Sequence, residues 1–135
     1  MRAVICLVAQ GVIRDGETNN ISVFNLLESI MAEGLPVLVP QLCFFVLWER
    51  EPDEAAVHQA TLSLRLDQRE LLTTGARVDF QAFTRARSIN NIAGLVLPTV
   101  GSLVFEMRIE NGPSATYTVT ISAAAQAPAP RVEAR

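Results

Sequence analysis

The sequence predicts an all-β fold: a single antiparallel β-sandwich, immunoglobulin-like or C2-like, of about eight strands over residues 1–122. Three observations carry this expectation. Apolar and polar residues alternate with period two in several short segments. Turn-forming residues separate those segments. The chain, 135 residues and 14.7 kDa, is the size of one domain and half apolar, with only 19% charged residues, which excludes intrinsic disorder. A domain of this size buries ~70% of its unfolded surface and needs no metal or disulfide to hold it.

Ala3–Val12 reads as the first strand, followed by turn chemistry at Asp15-Gly16 and Asn19-Asn20. Ile21, Val23 and Phe24 favour extended backbone. Asn25–Glu33 fits two patterns. Leu27, Ile30 and Met31 form a helical stripe with Gly34 as its C-cap, whereas Phe24, Leu26 and Ile30 fit alternation; the preceding residues tip the choice toward a strand. Pro36 and Pro40 punctuate the chain before Leu42–Trp48, which is apolar on both faces, as a central strand covered on both sides would be. Leu62, Leu64 and Leu66 alternate with polar residues and lead into a turn at Asp67-Gln68-Arg69-Glu70, then Leu71 and Leu72. Val78, Phe80 and Ala82 suggest a short strand, and Ile89–Leu97 a weaker one interrupted by Asn90, Asn91 and Gly94. Pro98 and Gly101 bracket a turn. Leu103, Phe105, Met107 and Ile109 then alternate with Val104, Glu106, Arg108 and Glu110, and Ala115, Tyr117, Val119 and Ile121 with Thr116, Thr118, Thr120 and Ser122. With Asn111-Gly112-Pro113-Ser114 between them, these form an antiparallel hairpin with one wet face. From residue 123 alanine and proline replace the alternation, so residues 123–135 read as a flexible or polyproline-like tail.

Net charge is −3 and the isoelectric point about 5.1, the wrong sign for a general binder of nucleic acid or anionic membrane. No apolar run approaches the ~20 residues that span a bilayer. All eleven basic residues are arginine, through codon bias in a GC-rich bacterial genome or selection for guanidinium contacts, which closes Schiff-base and P-loop lysine chemistry to the chain. Cys6 and Cys43 lie in apolar segments, as buried small hydrophobes or, in an oxidising compartment, as a disulfide. Arg2 and Ala3–Ala9 mimic a signal peptide but run into Arg14, Asp15 and Glu17, so a cytoplasmic location is expected.

The order of features has a further consequence. An apolar strand runs into Arg14-Asp15-Gly16-Glu17-Thr18, then Ile21-Ser22-Val23-Phe24-Asn25-Leu26-Leu27-Glu28-Ser29-Ile30. Leu35-Pro36, an apolar strand from Leu42, and Leu97-Pro98 with Gly101 ahead of Phe105 complete the pattern. In this order the chain resembles a family of short bacterial proteins whose domain is of unknown function. The resemblance covers about residues 1 to 122 and implies a β-sandwich, with no activity to carry over. Where members tend to have glycine after the Leu62–Leu66 strand, this chain has Asp67-Gln68-Arg69-Glu70.

No catalytic constellation assembles from the residues. His58 is the single histidine, and no G-x-S-x-G elbow is present. His58 with Asp53 or Glu54 lacks a second histidine for zinc, and Glu49, Glu51, Asp53 and Glu54 lack the D-x-D spacing of a calcium loop, so they read as a solvated acidic loop. No cofactor is expected. Arg85 and Arg87, two apart on a strand, share a face and with Arg77 form a candidate anion- or partner-binding patch. Thr116, Thr118 and Thr120 form a flat polar stripe that another sheet could cover. Trp48 and Phe44 read as core, or as rim anchors for a partner. The expectation is a non-enzymatic sandwich acting through protein–protein contact, with a protein partner or a second copy and without nucleic acid or membrane. The alternative is a small-ligand-binding sandwich or barrel.

Overall fold

Alternation is realised as nine strands in the computed structural model, which describes residues 1–124. They are β1 (Arg2–Arg14), β2 (Ile21–Leu26), β3 (Ser29–Ala32), β4 (Val37–Glu49), β5 (Val57–Leu66), β6 (Arg69–Asp79), β7 (Arg85–Leu97), β8 (Gly101–Ile109) and β9 (Ser114–Ala123). Two sheets result, one ordered β2-β1-β4-β7 and the other β3-β9-β8-β5-β6. Leu42, Phe44, Val46 and Trp48 of β4 meet Leu62 and Leu64 of β5, Leu103, Phe105 and Met107 of β8, and Val119 and Ile121 of β9 in one core. The rings of Phe44 and Phe105 pack across it at 5.6 Å and 47°. Trp48 is buried at one end, and its indole Nε1 donates to Ser88 Oγ at 3.1 Å, which satisfies a donor that would otherwise lack a partner.

The expected C-terminal hairpin is present: β8 pairs with β9 from Gly101↔Ile121 to Arg108↔Ser114, with Asn111 at a positive φ in the turn. Asp67 likewise turns β5 into β6 at φ 52°, and its Oδ1 accepts the Ser102 amide at 2.9 Å. Leu42–Trp48 is the interior of a long β4, flanked by β1 and β7 as expected of a central strand.

Several expectations are corrected. The strands number nine, against about eight expected, and one pair, β3 beside β9, is parallel where an antiparallel sandwich was expected. Asn25–Glu33 is neither a helix nor one strand. The chain leaves the first sheet after Leu26, Asn25 adopts φ 55°, and Ser29 enters the second sheet. Tyr117 fixes this crossing by donating its hydroxyl to the Leu27 carbonyl at 2.8 Å. Leu71 and Val78 belong to one strand, β6, whereas Phe80 sits in the following turn, buried, with its amide on the Ala56 carbonyl. Ile89–Leu97 is part of a 13-residue strand. β9 runs to Ala123, and of the expected tail residues 125–135 lie outside the described residues.

One irregularity is shared by two strands. Leu42 and Ile92 face the core, and so do Val37, Val39, Leu95 and Leu97, so the inward face inverts once in each strand. The inversion falls at Pro40 and Gly94, which the unbroken register places opposite one another between Val39↔Leu95 and Gln41↔Ala93. Gly94 takes φ 68°, a left-handed conformation open to glycine at little cost. Pro40 is tolerated because this part of β4 pairs with β7 alone.

Both cysteines are free. Cys6 is registered opposite Val46 on the core face, whereas Cys43 is opposite Ala9 on the other face, so the pleat itself keeps the thiols apart. Burial pushes the Cys6 thiol up to about 11 and raises that of Cys43 as well. Among the described residues no helix is long and apolar enough to cross a membrane.

Candidate functional site

The two outer faces of the sandwich differ in chemistry. On the five-stranded sheet, Thr116, Thr118 and Thr120 stand opposite Glu106, Val104 and Ser102, with Thr61, Ser63 and Arg65 continuing the polar face on β5. This is the wet face read from the alternation. The four-stranded sheet has an apolar outer face. Its β4 residues Cys43, Phe45 and Leu47 point away from the core, and the register sets Ala9, Leu7 and Ile5 of β1 beside them. Sequence reading noticed that Leu42–Trp48 is apolar on both faces; the second face is this one.

Part of that face is roofed by the chain's own hairpin. Arg87 Nη2 donates to the Asn19 carbonyl at 2.6 Å, and Nη1 to Asn19 Oδ1 at 3.3 Å. Asn19 lies at the tip of the β1–β2 hairpin, while Arg87 lies on β7 at the opposite edge of the sheet. Three strand spacings, about 14 Å, separate those edges. The contact therefore requires the hairpin tip to cross back over the outer face of β1 and β4. Ala9, Cys43 and Phe45 are buried on that face, and Phe45 lies beneath the hairpin. Gly11 makes close packing within the hairpin workable: the Phe24 ring occupies the space where a Cβ would sit.

Between hairpin and sheet lies a cleft of about 550 Å³. Its floor is Ile5, Leu7, Phe45 and Leu47, and Ile21, Val23 and the exposed Phe83 contribute walls. Arg85 and Arg87 stand at its β7 side. Arg85 uses Nε and Nη2 on Glu49 Oε2, each at 3.0 Å, and Arg2 holds Glu49 Oε1. Hydrogen bonds from Arg2 and then Arg85 keep the Glu49 carboxyl below its ordinary range. Arg87 bonds only to neutral Asn19 groups, which Arg14 also reaches at 3.4 Å, and among the described residues neither Arg87 nor Arg14 forms an ion pair.

The other candidate residues are placed elsewhere. Arg77 is on β6 in the second sheet and pairs with Asp79 at 3.3 Å, so it does not join Arg85 and Arg87. The threonine stripe is on the opposite side of the sandwich from them. His58 is half-buried, edge-on to Phe80 at 6.0 Å, with Nε2 2.8 Å from the Ala55 carbonyl, instead of a freely solvated side chain. The acidic stretch is engaged by cations: Glu49 by arginine, and Glu54 by the Met1 ammonium at 2.7 Å. That ammonium and the Glu51 amide lower the Glu54 carboxyl. Arg50 ties two loops together, donating to the carbonyls of Glu54 at 2.7 Å and Phe83 at 2.9 Å while lying 5.5 Å over the Phe80 ring. Among the described residues no three His, Cys, Asp or Glu side chains converge as a metal cage. Asn19, Phe83 and the cleft floor were missed by sequence reading, because they meet only through the folded-back hairpin.

Fold and site together define an all-β, two-sheet protein with an arginine-flanked apolar cleft on one outer face. By sequence the chain belongs to DUF6941, a family of unknown function, whose model matches residues 4–122. No curated protein and no solved structure matches the chain.

Proposed function

We propose that this chain is a non-catalytic sandwich acting through protein–protein contact, as an assembly subunit or adaptor. The observation that carries this reading is the open edge of β7. Strands β2, β3, β6 and β7 end the two sheets. Of these, β2 and β3 are only 6 and 4 residues long, and β6 carries Arg69, Glu70, Arg77 and Asp79. β7 runs 13 residues with its only charges, Arg85 and Arg87, at one end, leaving residues 88–97 uncharged. A long edge without charge, lysine or proline is a template for another strand. Exposed Ile89 and, further along, exposed Val96 opposite Leu38 add apolar area next to it.

Taking β4-β7 as the B–E pair and β9-β8-β5-β6 as G–F–C–C′, we read the sandwich as immunoglobulin-like rather than C2-like, with β1 beside β4 in the place of strand A and β2 an added strand. Phe44 against Phe105 then takes the place of the disulfide that links strands B and F in antibody domains. Two free thiols suit a cytoplasmic location.

A photo-crosslinking residue at Asn91, on the β7 edge, tests the proposal against one at Thr118 on the polar face. Covalent adducts with a polypeptide are expected from position 91. Adducts from position 118 alone would transfer the contact to the threonine stripe, and none from either would remove the interaction role. The second reading, a small-ligand-binding sandwich, is favoured by the cleft, whose volume of about 550 Å³ lies within the ~300–1,000 Å³ usual for small-molecule sites.

A further inference from the structure

We propose that the cleft between the β1–β2 hairpin and the four-stranded sheet binds a small apolar monocarboxylate, its hydrocarbon on Leu7, Phe45 and Leu47 and its carboxylate on Arg85 and Arg87. This rests on the ligand-binding reading above and names the ligand class. The floor is hydrocarbon, so the body of the ligand must be apolar. Charge sets the head group. Arg85 and Arg87 are two apart on β7, so their guanidinium groups leave the same face. Each has five N–H donors. Arg85 spends Nε and Nη2 on Glu49, and Arg87 spends one N–H each from Nη1 and Nη2 on Asn19, which leaves donors on both side chains. Glu49 carries one negative charge among Arg2, Arg85 and Arg87, and Asn19 carries none, so this end of the cleft keeps a positive surplus. A planar carboxylate accepts from guanidinium groups in a bidentate manner, with charge assistance that a hydroxyl cannot match. The hairpin walls the cleft on the β2 side and Phe83 walls it near Arg85.

Calorimetric titration of the whole protein with decanoate, and separately with 1-decanol, is the test. Saturable one-to-one binding of decanoate is expected, at least about tenfold tighter than decanol, the difference one charge-assisted contact makes. Arg87→Ala should erase most of that difference, and by releasing the hairpin from Asn19 it should weaken decanol as well. Because Arg87 also latches the hairpin, Arg85→Ala serves as a second variant that keeps the latch, and it too should weaken decanoate selectively. Leu47→Glu, which puts a carboxylate into the floor, should abolish binding of both. Equal affinity for decanoate and decanol would overturn the carboxylate assignment but leave a ligand-binding cleft. Failure of both to bind a folded protein would overturn the assignment and the ligand-binding reading together. A leucine-rich peptide with a free C-terminus that outcompetes decanoate would also overturn it.

Discussion

Replacing Gly94 and Gly75 by alanine, one at a time, separates backbone strain from every other effect of the same substitution. Both glycines lie in strands, and a Cβ at either would meet nothing within 4 Å. Only Gly94 has a left-handed φ, 68°. Alanine restricts the unfolded chain and so adds about 0.4–1 kcal/mol of stability wherever the native backbone accepts it. Left-handed backbone costs an L-residue about 1–2 kcal/mol. Gly75→Ala is therefore expected to stabilise by about 0.4–1 kcal/mol, and Gly94→Ala to destabilise by up to about 1.6 kcal/mol, strain less the same entropic gain. The unfolded-state contribution cancels between the two, so their separation measures the strain of inverting β7 opposite Pro40. Urea unfolding followed by Trp48 fluorescence reads both. Equal effects of the two substitutions would refute the paired inversion as the reason for glycine at 94.

Ser88→Ala removes the acceptor of the buried Trp48 indole and should cost about 1–3 kcal/mol, with a shift in tryptophan emission; an unchanged spectrum and midpoint would mean that the bond contributes nothing. Glu49, Glu54 and Asp15 all have carboxyls below their ordinary range, through arginine, the Met1 ammonium and the Glu17 and Thr18 amides respectively. A carboxylate whose folded value is depressed contributes stability above its unfolded value and loses it as pH falls through the folded one. The urea midpoint should thus stay level down to the ordinary carboxylate range near pH ~4 and fall below it, and Glu49→Gln should flatten that fall. Cys43, fully buried, should react with a disulfide reagent at pH 8 only as the protein unfolds, and Cys6, whose thiol burial raises to about 11, far more slowly than a free thiol; rapid labelling of the native protein would contradict their placement.

The strands that bury one face were legible from alternation: β5, β8 and β9 each show it, and their turns carry Asp67 and Asn111 where positive φ is needed. What escaped has physical causes. The full length of β6 is hidden because its middle, Thr73-Thr74-Gly75-Ala76, lies on an exposed sheet edge and has no alternation to display. Asn25–Glu33 mixed two patterns because it spans two strands in different sheets, joined where Leu27 meets Tyr117. Arg85 and Arg87 were recognisable as a pair from their spacing alone. Their surroundings were not, because Asn19 is 68 residues from Arg87 and reaches it through a hairpin that folds back over its own sheet. The apolar second face of Leu42–Trp48 was visible in the sequence. That it lines a partly roofed cleft, instead of packing under another layer, depends on that same contact.

Native mass spectrometry of the protein, purified gently from its own host, tests the interaction role most directly, with Asn91→Lys/Ala93→Lys as the variant that places charge on the β7 edge. The expected result is a mass above 14.7 kDa by one or more whole polypeptides for the parent protein, and loss of that mass in the variant. A bare 14.7 kDa monomer for both, or an assembly that the edge lysines leave untouched, would contradict a contact made through β7.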